Sequence, residues 1–143
     1  LDLAGMPGAG AAGGLGAGLA AFLGVKLERG VSLICDTIGF DGYVKDADLV
    51  ITGEGRIDFQ TAFGKAAAGI AQRAKAFNKP VIAICGSLGQ GYEDVYRHGI
   101  DSVMSIIPHI MTLEEAMQDG PKLLKEATER AVRCWAAGRA ERK

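Results

Sequence analysis

The chain has 143 residues, 48% of them hydrophobic, which is enough for one compact domain with a real core and short for two. Sixteen basic residues against 17 acidic ones leave a formal charge of -1, so there is no broad positive field to attract nucleic acid or an anionic membrane surface. Three widely spaced cysteines in apolar surroundings, Cys35, Cys85 and Cys134, indicate neither a disulfide framework nor a CxxC metal site and suit a reducing cytoplasm, and no apolar run reaches the roughly 18 residues of a membrane span.

The first segment, LDLAGMPGAGAAGGLGAGLAAFLG, is small and apolar but lacks the basic start of a signal peptide and carries seven glycines after Gly5. Its abrupt start without an initiator methionine suggests a portion of a longer protein. The spacing of Leu15, Leu19, Phe22 and Leu23 predicts a helix over 11–25, entered from a glycine-rich turn at Gly8 to Gly14. Backbone donors around Gly8 and Gly10 could hold an anion, and close helix packing accounts for the same glycines equally well. Neither a preceding strand nor an acidic residue about twenty positions on supports a dinucleotide fingerprint. After the break at Gly30, Val31, Ile34, Cys35 and Ile38 fit helical spacing, and VSLIC would equally suit a short buried strand; helix is the expectation.

Asp48 to Thr52 is a β-branched apolar run that predicts a strand ending at a Gly-Glu-Gly turn, followed by a helix over 65–77 stopped at Asn78 and a continuous apolar strand over 80–85. A second glycine loop at 86–91, a short helix near 93–98, a strand over 101–107 stopped by Pro108, a capping box at Thr112 and Glu115, and a long helix over 121–135 complete the pattern. Apolar strands separated by helices predict an α/β fold: a three-layer, Rossmann-like domain with a mainly parallel sheet and right-handed crossovers. In such sheets ligands bind at the carboxyl ends of strands, where both glycine loops fall.

The segment GEGRIDFQTAFGK brings Glu54, Arg56, Asp58, Gln60, Thr61 and Lys65 into thirteen residues after a buried strand. Gly53 and Gly55 permit close ligand approach, and a helix starting near Gly64 would offer free N–H donors to a phosphate or carboxylate. Lys65 can neutralise phosphoryl charge, Arg56 can hold an oxyanion bidentately, and Asp58 or Glu54 can ligate magnesium or orient an attacking hydroxyl. The bland alternative is a surface pair of Arg56 with Asp58, glycines that merely turn the chain, and a solvated Lys65. A Walker A loop is excluded, since GxxxxGK[ST] requires glycine at Phe59 and Ser or Thr at Ala66. Ser87 could contact an anion, without a histidine to make it a hydrolase nucleophile. His109, just after a strand, is a better site candidate than His98. Among the scattered acids Asp36, Asp41, Asp46 and Asp48, which suit helix caps and solvated positions, Asp36 is retained as a candidate metal ligand.

Three stretches, PGAGAAGGLGAGLAAFLG at 7–24, DADLVITGEGRIDFQTAFGKA at 46–66 and KPVIAICGSLG at 79–89, resemble bacterial-type glycerate kinases in order and spacing. The resemblance covers nearly the whole chain and is most specific in TGEGR-D-Q-T-GK. It implies ATP-dependent phosphorylation of D-glycerate to a phosphoglycerate, with magnesium, in an enzyme of two α/β domains facing a cleft, of which residues 1–143 would be a single α/β region in the carboxy-terminal part. The family commonly has proline just after the Gly-Lys-Ala run, where this chain reads Ala67. An alternative of a different class is a non-catalytic α/β module that binds a small phosphorylated metabolite through the same loops.

Overall fold

A computed structural model describes Leu3, residues 5–63 and residues 65–140. The chain divides into two compact units, residues 1–39 and 40–143. No helix among the described residues is long and apolar enough to cross a membrane.

The first unit holds α1 (Ala11–Leu23) and α2 (Gly30–Thr37). The expected turn is visible as positive φ at Gly8, Ala12, Gly13 and Gly14, and α1 ends on a left-handed Gly24 whose N–H returns to the Ala20 carbonyl. The large side chains that predicted this helix, Leu15, Phe22 and Leu23, are exposed, while Gly16 and Ala20 are its buried positions. A Cβ at Gly16 would stand 2.4 Å from the Gly8 carbonyl oxygen, so the bare side of the helix is what lets the turn fold back on it. VSLIC is helical, which settles the choice between helix and strand.

The second unit begins with α3 (Phe40–Asp46), an element without a clear sequence signal, which the Arg73 guanidinium holds through Asp41. That pairing draws the Asp41 carboxyl below its usual range. Three strands, β1 (Val50–Ile57), β2 (Val81–Leu88) and β3 (Ser102–Ser105), form a parallel sheet in the order β1-β2-β3. Between them run a 3-10 helix at Phe59–Phe63, α4 (Ala66–Lys75) and a second 3-10 helix at Tyr92–His98, and α5 (Leu113–Gln118) and α6 (Gly120–Ala140) follow.

Alternate residues of β2 face opposite layers. Val81, Ala83 and Cys85 pack with Val50, Ile57, Val95 and Ile100 against Ala67, Ala71 and Ala74 of α4, whereas Ile82 and Ile84 pack against Ala127 and Ala131 of α6. These alanines recur at helical spacing and are almost fully buried, so each helix lies close on the sheet. The α/β class, the parallel sheet and the three layers of helix, sheet and helix agree with the sequence expectation.

One expectation changes. Neither strand stops before its glycine segment: β1 runs through Gly53, Glu54, Gly55 and Arg56 to Ile57, in register with β2 on either side of Gly55, and β2 itself continues through Gly86 and Ser87 to Leu88. The predicted Gly-Glu-Gly turn is therefore extended strand. Glycine serves close approach here, since a Cβ at Gly86 would meet the Gly55 carbonyl oxygen at 2.5 Å and one at Gly53 would meet that of Ile84 at 2.8 Å. The helix expected over 65–77 is α4, which starts at Ala66 with Lys65 as its N-cap; Gly64, the expected helix entry and anion site, lies outside the described residues.

Candidate active site at the strand ends

At the end of β1 the inward–outward alternation slips, with Gly55 and Arg56 both exposed before Ile57 is fully buried. Buried Ile57 anchors the strand end, and the chain then turns on Asp58. The Asp58 Oδ1 accepts the Gln60 N–H at 3.0 Å, the Thr61 hydroxyl accepts the Asp58 N–H at 3.2 Å, and the Thr61 N–H returns to the Asp58 carbonyl at 3.0 Å. Thr61 is completely buried, so the turn is fastened from beneath. Gly89 leaves the space above it: its N–H bonds the Ile57 carbonyl at 2.7 Å, and a Cβ there would lie 2.8 Å from both Arg56 Nε and Asp58 Cβ.

Lys65 closes the cluster from the N-terminus of α4. Its Nζ lies 3.2 Å from Glu54 Oε1 and 3.9 Å from Asp58 Oδ1, and Arg56 Nε stands 3.6 Å from Asp58 Oδ2. Two carboxylates from a strand and a turn thus share one ammonium. The second Glu54 oxygen, Oε2, is buried and has no hydrogen-bond partner, which is costly for a carboxylate unless a ligand supplies a donor or a cation. Among the described residues no group of three or more His, Cys, Asp or Glu side chains is placed to hold a metal ion. That donor set suits magnesium, which is commonly bound by one or two carboxylates plus substrate phosphates and water rather than by an all-protein cage.

The structure brings Glu54, Arg56, Asp58, Gln60, Thr61 and Lys65 into one neighbourhood at the end of β1. Within that group Gln60 contributes a backbone N–H and Thr61 a buried hydroxyl, each to the Asp58 turn. Ser87 pairs in register with Arg56 and is exposed beside Gly55. His109 is exposed on the connection from β3 to α5. Gly8, Gly10 and Asp36 belong to the first unit: Gly8 in the turn, Gly10 as N-cap of α1, and Asp36 exposed on α2. Asp48 is paired with Arg139 at 3.1 Å.

A feature the sequence reasoning missed adjoins the cluster. On the α6 side of the strand ends lies an apolar cavity of about 790 Å³, walled by residues that include Gly55, Ile84, Ile107, Met111, Leu113 and Met117. Glu54 is among its lining residues as well, so one residue adjoins both the cavity and the ion cluster. The sequence signal was present in the run of apolar residues flanking the Thr112 capping box, but their convergence on β1 comes from the fold. The box itself is formed: Glu115 Oε2 accepts the Thr112 N–H at 2.7 Å and the Glu115 N–H reaches the Thr112 hydroxyl at 3.2 Å.

The sequence profile of the glycerate kinase family matches residues 1–136. The chain belongs to the glycerate kinase family. It is 60% identical over 126 residues to a glycerate kinase of Halalkalibacterium halodurans, an alignment covering 88% of this chain and 33% of the relative. It is 48% identical over 118 residues to the glycerate 2-kinase of Escherichia coli, covering 82% and 31%. A crystal structure from Salmonella typhimurium LT2 that carries the name glycerate kinase 2 superposes with a TM-score of 0.68 at 44% identity, covering 93% of this chain and 34% of that one. The chain thus spans about a third of the length of the relatives it matches.

Proposed function

We propose that this chain is the carboxy-terminal part of a two-domain glycerate kinase, which transfers a phosphoryl group from ATP to a hydroxyl of D-glycerate in the cytoplasm. The observation that carries the proposal is the ammonium of Lys65 between the carboxylates of Glu54 and Asp58 at the carboxyl ends of parallel strands. Family membership supports the substrate class, and the free thiols of Cys35, Cys85 and Cys134 suit a reducing compartment.

Phosphoryl transfer asks little covalent chemistry of a protein and much positioning and charge. ATP supplies the transferable group, and magnesium offsets the charge of its phosphates when bound. Lys65, steered by two carboxylates, presents a fixed positive charge to a phosphoryl oxygen. Arg56, with an exposed guanidinium anchored on one side by Asp58, is suited to the carboxylate of glycerate. Glu54 offers its unpartnered Oε2 to the metal or to a hydroxyl. Asp58, whose carboxylate the turn fixes in place, accepts the proton of the attacking hydroxyl or shares the metal.

The test is Asp58→Asn in the full-length protein. The amide oxygen can still accept the Gln60 N–H, so the turn survives while the negative charge is lost. Turnover of glycerate with ATP and magnesium should fall by about 10²- to 10⁴-fold at near-normal thermal stability. Unchanged turnover removes Asp58 from the chemistry.

A further inference from the structure

We propose that the apolar cavity receives the nucleoside part of the phosphoryl donor, base and ribose, and that the donor's phosphates lead out past Glu54 to Lys65. The assignment rests on the phosphoryl-transfer function above and adds which ligand goes to which half of the site.

Three observations carry it. The first is size and chemistry. A cavity of about 790 Å³ belongs to the class that holds organic ligands much larger than a three-carbon acid. Glycerate has more oxygens than carbons and carries a negative charge, so a wall of Ile84, Ile107, Leu113 and two methionines would strip its water and return nothing. A base is flat and apolar on both faces, and the polarizable thioethers of Met111 and Met117 suit such faces.

The second is unfinished burial. Leu113 and Met117 line the cavity yet are 79% and 75% exposed, so packing within the unit does not consume their apolar surface. The opposite wall is strand backbone, where a Cβ added at Gly55 would meet nothing within 4 Å. A planar group can therefore approach the ends of β1 and β2 closely.

The third is continuity. Glu54 lines the cavity and its Oε1 lies 3.2 Å from Lys65 Nζ. A nucleoside seated among the methionines can lead its phosphates past Glu54 toward the Lys65 ammonium. Glu54 Oε2, buried without a hydrogen-bond partner, leaves an unsatisfied acceptor at the residue the two halves share.

The experiment uses the full-length protein, fluorescent N-methylanthraniloyl-ADP as probe, and two variants of α5. Ala116→Phe fills the cavity from its half-buried wall, and Met117→Asp places a charge on it from an exposed position that folding does not depend on. Both should weaken probe binding and raise the KM for ATP by at least about tenfold, with the KM for glycerate within about twofold of wild type. Photolabelling of the unmodified protein with 8-azido-ATP should mark the peptide spanning 107–124, which needs no variant to fold. Wild-type probe affinity in both variants, or a rise in the KM for glycerate alone, overturns the nucleoside assignment and leaves glycerate kinase activity intact. Probe binding that the variants abolish, in a protein that does not phosphorylate glycerate, upholds the assignment and removes the glycerate reading instead.

Discussion

The ion cluster and the apolar cavity meet at Glu54, yet they are built in opposite ways. The cluster is local: Glu54, Arg56, Asp58 and Lys65 lie within twelve residues, and a strand end, a turn and a helix N-terminus fold them onto one another. The cavity is assembled from chain segments far apart, the ends of β1 and β2 on one side and the β3–α5–α6 region on the other. A site made from consecutive residues advertises its chemistry in the sequence, whereas one made from distant apolar residues looks like core until the fold is known. The difference also divides the work expected of each half, charge and proton transfer in one and recognition by shape and desolvation in the other.

The largest effect should come from removing the cation. Lys65→Ala leaves the Glu54 and Asp58 carboxylates facing one another without their shared ammonium and deprives the transferring group of its counter-charge. Turnover in the full-length protein should drop by about 10²- to 10³-fold, while probe binding in the cavity weakens much less. A variant that loses nucleotide binding in proportion to turnover would merge the two halves into one binding site.

A smaller effect should follow from undermining the turn. Ile57 is fully buried directly before Asp58 and packs with Val81, Ala83 and Cys85. Truncation to alanine leaves a cavity in the core and should cost about 2–5 kcal/mol in denaturant unfolding. Because the lost support lies under the charged cluster, the catalytic constant should suffer more than nucleotide affinity. The reverse order would show that the strand end positions the cavity wall instead.

Much of the second unit was legible beforehand because its signals are short-range. Continuous apolar strands, the Asn78 stop, where φ is +55°, and the Thr112 box all reflect preferences settled within a few residues. The Gly-Glu-Gly segment misled for a physical reason: glycine is depleted in strands, but here its missing side chain lets β1 and β2 approach, a fact about the partner strand that no local preference contains. α3 escaped because a seven-residue helix with an internal glycine, Gly42, carries little periodicity, and a pairing thirty-two positions away between Asp41 and Arg73 holds it. Thr61 stands out in sequence only as a member of the charged segment, and its complete burial reveals what its hydroxyl does for Asp58.

The smallest effect tests the cavity wall through pH. Glu115 accepts the N–H of Thr112 and then its hydroxyl, with His109 a lesser positive influence, and these hold its carboxyl below the usual glutamate range. A carboxyl whose folded pKa is depressed adds stability that is complete above its unfolded value, about 4.3, and disappears as pH falls through the lower folded value. α5 should therefore loosen below about pH 4.3. Amide exchange of Ala116 between pH 3 and 6 should quicken on the acid side beyond its intrinsic pH dependence. Glu115→Gln, which keeps an acceptor but no charge, should flatten that excess. An excess that persists in Glu115→Gln would place the pH sensitivity elsewhere in the sheet and separate the wall of the cavity from its capping box.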